Sequence, residues 1–71
     1  MEKWEVWFVD SIEKFYYDNA EAAFRGCYTY LQDLNTMPDF IKDCIEELAE
    51  NFNMNEDSFG CAEICWATKI Q

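Results

Sequence analysis

The chain has 71 residues, and its fifteen Asp and Glu outnumber five Lys and Arg, with no His, for a formal net charge of −10. That balance excludes direct binding to nucleic acid or to an anionic membrane, since both need basic surface to displace counterions. A chain this short buries only about 60% of its unfolded surface, so one domain is expected over residues 1–71, and its 51% hydrophobic and 18% aromatic content either supplies rings for an oligomer or partner interface or covers a thin sheet.

The elements can be read in chain order. Lys3 to Val9, "KWEVWFV", is dense in aromatic and β-branched residues and predicts a strand. Trp4, Val6 and Phe8 would share one face, and Glu5, Trp7 and Val9 the other. Asp10 and Ser11 are turn formers, and Glu13 to Tyr17 predicts a second short strand that closes a hairpin. The period then changes. Ala20, Ala23, Phe24, Cys27, Leu31 and Leu34 recur at helical spacing, with Asp18 as the expected cap and Glu21 completing a capping box. Gly26 inside this helix is unfavourable by about 1 kcal/mol against Ala, which points to a close approach to the sheet.

"NTMPDF" is the clearest break. Asn35 is the expected end of the first helix, and Thr36 the expected cap of a second, with Pro38 in its first turn and Asp39 at the capping-box position. This helix is expected from Met37 to Asn51. Phe40, Ile41, Cys44, Ile45, Leu48 and Phe52 form its apolar stripe, and Asp39, Asp43, Glu46, Glu47 and Glu50 fall opposite, with Lys42 the only base. The like-charged pairs Asp39–Asp43, Asp43–Glu47 and Glu46–Glu50 each destabilise the helix by about 0.2–0.5 kcal/mol, which the tertiary fold must offset. Glu63 to Ile70 predicts a last strand, with helix the alternative for residues 59–66. The expected fold is α+β, a ββααβ domain with two helices packed on one face of a three-stranded antiparallel sheet.

Residues 50 to 65, "ENFNMNEDSFGCAEIC", raise the question of a metal. The ladder Asn51, Asn53, Asn55 and Asp57 follows the start of a calcium loop, but Glu56 stands where the sharp-turn Gly is required and Ala62 where the bidentate Glu should be. Cys61 and Cys65 have a spacing seen in zinc sites, yet two further ligands are lacking. On one strand, at a rise of roughly 3.3 Å per residue, their sulfurs would lie about 13 Å apart. The segment reads instead as a helix stop, a polar turn and the lead into the last strand. No metal or cofactor is expected.

Catalysis is poorly served too. Without His there is no imidazole base and no Cys–His or Ser–His pair, and the two glycines, Gly26 and Gly60, make no phosphate loop. The chain is expected not to be an enzyme. "MEKWEVWFVD" has no apolar signal core, and no apolar run approaches a membrane span. A cytoplasmic protein is expected, with Cys27, Cys44, Cys61 and Cys65 as reduced thiols in the core.

The expected function is therefore an acidic protein-binding module. Its surface would be Asp39, Asp43, Glu46, Glu47 and Glu50, extended by Glu56 and Asp57, and its partner a basic surface such as that of a nucleic-acid-binding effector. The same acids also suit a solvated face that serves solubility. A short, strongly acidic, His-free α+β chain resembles the small anti-defence proteins of phages and mobile elements, anti-CRISPR proteins among them. The likeness lies in size, charge and overall character, and no residue motif carries it. It implies an inhibitor that occupies the nucleic-acid or target-recognition surface of a nuclease. The alternative is a homo-oligomeric structural or adaptor protein of a bacterium or phage, self-associating through exposed Trp7, Tyr17, Tyr28 and Tyr30.

Overall fold

A computed structural model describes residues 2–54, 57–61 and 63–71. The elements run β1 (Trp4–Phe8), β2 (Phe15–Tyr17), α1 (Ala20–Gln32), α2 (Pro38–Met54), β3 (Ser58–Cys61) and β4 (Cys65–Lys69). The fold is α+β, as the pattern predicts, but the sheet has four strands rather than three, in the order β2-β1-β4-β3 with every neighbour antiparallel. The unexpected strand is β3. It pairs with β4 as a hairpin, so the helical alternative for residues 59–66 does not hold.

Alternation sorts the sheet into two faces. Trp4, Val6 and Phe8 of β1 are buried on the inner face, with Cys65 and Ala67 of β4 and Phe59 and Cys61 of β3. Trp7 of β1 and Trp66 of β4 stand opposite each other on the outer face, next to the Glu5–Tyr16 pair. The helices cover the inner face, where Ala23, Cys27 and Leu31 of α1 and Cys44 and Leu48 of α2 complete the core. Phe59 is its centre. It lies 5.2 Å from Trp4, 5.0 Å from Phe52 and 6.2 Å from Phe24, ring centroid to centroid. Its burial contributes about 1.5–3 kcal/mol.

Both helix starts differ from expectation by one residue. Asn19, not Asp18, caps α1: its backbone is extended and its Oδ1 accepts from the Ala22 amide at 2.8 Å. At α2 the Ile41 amide donates to the Met37 carbonyl at 3.1 Å, which gives Met37 the cap position rather than Thr36. Asp39 then sits one position short of a capping box. It still lies in the first turn, where a carboxylate complements the helix dipole. At its other end α2 continues past Asn51 to Met54. Phe52 packs 4.7 Å from Phe24, and the Asn51 amide bonds to β3. These tertiary contacts outweigh the low helix propensity of the asparagines.

The close approach expected at Gly26 is present. A β-carbon there would stand 2.5 Å from the Tyr17 hydroxyl and 2.8 Å from its Cζ. Gly60 is tighter, because its β-carbon would fall on the Cys65 carbonyl and 2.8 Å from the Trp66 Cα. The expected set of exposed aromatics needs correction. Trp7 is 38% exposed, but Tyr17, Tyr28 and Tyr30 pack against the core. Tyr30 stacks on Phe8 at 4.3 Å and donates its hydroxyl to Asp10. Tyr16, Phe15 and Phe40 are the exposed rings that the pattern did not single out.

β1 and β4 form the middle of the sheet and come from the two ends of the chain. Their pairing continues beyond the strands, with the Lys3 amide donating to the Gln71 carbonyl at 2.9 Å and the Ile70 amide to the Lys3 carbonyl at 2.8 Å. Among the described residues no helix is long and apolar enough to cross a membrane.

Candidate functional site

The acids of α2 fall where helical periodicity puts them. Asp39, Asp43, Glu46, Glu47 and Glu50 are all exposed, with Asp43 and Glu47 at the edge of the stripe nearest Cys44. From Asp39 to Glu50 the stripe spans about 16 Å, at a rise of 1.5 Å per residue. Asp57 is exposed as well but lies apart, beyond the end of α2, where its carbonyl accepts from the Lys69 amide at 2.8 Å. Glu56, with Asn55 and Ala62 of the calcium-loop comparison, lies outside the described residues.

Little positive charge is set against this stripe. Neither helix has a basic residue in its last turn. Lys42 makes no salt bridge among the described residues, and the salt bridge seen there joins Lys14 to Glu5 at 3.2 Å on the sheet. The stripe therefore concentrates negative potential on one side of the molecule.

Beside the stripe is a feature the sequence does not reveal. β3 runs back along α2, and the furrow between the first half of α2 and the β3–β4 turn holds a cleft of about 250 Å³ lined by Phe40, Cys44, Glu47, Cys61, Glu63 and Ile64. An adjoining depression of similar size adds Asp43. Phe40, assigned by periodicity to the core stripe, is 43% exposed and forms a wall of this cleft. Glu63, by pattern the start of the last strand, lies instead in the turn before β4. No local signal could have marked it, because the cleft exists only once β3 has paired with β4 and packed on α2.

The same hairpin changes the cysteine geometry. Cys61 and Cys65 are not two positions along one strand about 13 Å apart; they face each other across the β3–β4 pair. Their side chains find different partners. Cys65 meets Cys27, and Cys61 hydrogen-bonds with Cys44 and Glu47. All four cysteines are free and buried. Burial, then the hydrogen bonds to Cys44 and Glu47, push the Cys61 thiol well above the usual range. The hydrogen bond to Cys65, then burial, push up Cys27. Both stay protonated and neutral at pH 7, so Cys61 adds no charge to the cleft. Among the described residues no group of three or more His, Cys, Asp or Glu is placed to hold a metal ion.

Comparisons with protein families, with curated proteins and with solved structures find no match.

Proposed function

We propose that the protein is an acidic protein-binding module that occupies a basic, nucleic-acid-binding surface of a partner such as a nuclease, and that it acts by binding rather than by catalysis. The observation that carries the reading is the α2 stripe: five exposed carboxylates, Asp39, Asp43, Glu46, Glu47 and Glu50, along about 16 Å of one helix. Their mean axial spacing is about 4 Å, close to the ~3.4 Å axial rise per phosphate of one strand of a duplex. A groove built to bind phosphates meets a similar line of negative charge. The stripe also disfavours the isolated helix, through its like-charged pairs and the lack of a base in the last turn. A binding role accounts for keeping an arrangement that lowers stability.

The test is to reverse Glu46, Glu47 and Glu50 together to Lys and measure partner binding or inhibition, with the partner taken from a native-lysate pull-down. Affinity should collapse, and binding by the unaltered chain should weaken steeply with salt. Unchanged affinity at low salt removes α2 from the proposal.

One observation favours a second reading, self-association in a homo-oligomeric structural or adaptor role. The outer face of the sheet has no helix over it and carries the cross-strand pair Trp7–Trp66 beside Tyr16. Aromatic rings of this kind are enriched at interfaces. Sedimentation decides it, since a strict monomer at micromolar concentration sinks this reading.

A further inference from the structure

The acidic side of α2 is indented, and the shape and chemistry of the indentation select an occupant. The cleft of about 250 Å³ opens into a depression of similar size that shares Phe40, Cys44, Glu47 and Cys61, and together they offer room for one long side chain. Its inner surface is apolar, with Cys44 and Cys61 at the floor and Ile64 and the Phe40 ring as walls. Its polar groups are two exposed carboxylates from separate elements, Glu47 of α2 and Glu63 of the β3–β4 turn, with Asp43 adjoining. An apolar guest would strip water from the exposed Glu63 carboxylate and return nothing. An anionic guest would be repelled. A cation on a methylene stem satisfies both zones, with the stem against the walls and the charge at the mouth.

Between the two basic side chains the lining favours arginine. Lysine is a compact point charge that one carboxylate satisfies. The guanidinium is planar, carries five donors and stacks on aromatic faces, so it can serve carboxylates from two elements while lying against Phe40. We infer that the cleft receives one arginine side chain of the basic partner, and that it gives the acidic face a preference for arginine over lysine. This rests on the acidic-module reading above and sharpens it from charge attraction to recognition of one residue type.

The test measures binding of hexa-arginine and hexa-lysine peptides to the full chain by fluorescence anisotropy at low ionic strength. Hexa-arginine should bind more tightly by about tenfold, which is ~1.4 kcal/mol. Phe40→Ala and Glu63→Gln should each bring the ratio of arginine to lysine binding toward one, with Glu63→Gln also weakening both peptides through its lost charge. Both positions are exposed, and circular dichroism checks each variant. Should Phe40→Ala not fold, Phe40→Leu replaces it, keeping apolar contact while removing the ring. If both peptides bind in a salt-dependent way with no preference, or the preference survives both variants, the arginine cleft is overturned and the acidic-module reading stands. If neither peptide binds, both readings fall.

Discussion

The side-chain amide of Asn51 donates to the backbone carbonyl of Gly60 at 2.7 Å, fastening the last turns of α2 to β3. In the sequence the same asparagine heads a ladder of oxygen ligands and marks the expected helix end. In the fold it is a clamp inside the helix. Replacing Asn51 by Ala leaves a half-buried carbonyl without that donor and should lower stability by about 1–3 kcal/mol. Asn51→Asp keeps the shape but sets a carboxylate against a carbonyl, and should destabilise at least as much. Urea unfolding with an unchanged slope reads both, and unmoved midpoints would show that the clamp holds nothing.

The two glycines should rank in a fixed order. At Gly60 an added β-carbon meets main chain, the Cys65 carbonyl and the Trp66 Cα, neither of which can give way. Gly60→Ala should therefore cost about 1–3 kcal/mol or more. At Gly26 the obstacle is the far end of the Tyr17 side chain, which can swing aside, and Ala recovers about 0.8–1 kcal/mol of helix propensity. Thermal melts should place Gly26→Ala well above Gly60→Ala, and the reverse order would contradict the packing described.

Burial, together with the hydrogen bond to Asp10, pushes the Tyr30 hydroxyl up from 10.0 to about 12. The folded state thus holds this proton more tightly than the unfolded chain does. Its contribution to stability is complete below pH 10 and is lost as the pH rises to about 12. Tyr30→Phe keeps the ring over Phe8 and removes the titration. Unfolding midpoints followed through that alkaline window should fall less steeply for the variant than for the parent chain, and parallel curves would remove Tyr30 from the account.

Thiol chemistry offers a separate check. Alkylation needs the thiolate, and Cys27 and Cys61 are held protonated by their hydrogen bonds and burial. Under native conditions iodoacetamide should label the chain slowly, with Cys61 first because it is 7% exposed at the cleft floor, while Cys65, whose thiol the hydrogen bond with Cys27 holds below its usual range, has no exposed surface. Denaturant should make all four cysteines react quickly. Mass spectrometry after partial labelling identifies the order, and early labelling of Cys27, which has no exposed surface, would contradict the burial.

Most of the architecture is legible because burial here is one-sided. A stripe at helical spacing and alternation at spacing two each leave a plain trace in α1, α2, β1 and β4. What stays hidden is decided by partners distant in sequence. Ser58-Phe59-Gly60-Cys61 has two weak strand formers in four residues, and only β4 reveals that Phe59 and Cys61 point inward. Asn51 to Met54 belong to a helix because of what Phe52 and Asn51 touch. The five acids of α2 can be read directly, since charge on an amphipathic helix faces out. The cleft beside them cannot, because one wall is the turn after a strand that local propensity does not announce.

The pairing of β1 with β4 has a consequence for how the chain reaches its fold. The middle of the sheet is assembled from the first and the last strand, while the adjacent hairpins supply its edges. The helices α1 and α2 are local and can form early, but the sheet closes only when β4 joins β1 across the whole intervening chain. Such long-range closure slows folding. Loss of β4 would remove a central strand rather than trim an edge, leaving Trp4, Val6 and Phe8 without the neighbour that covers one whole side of β1.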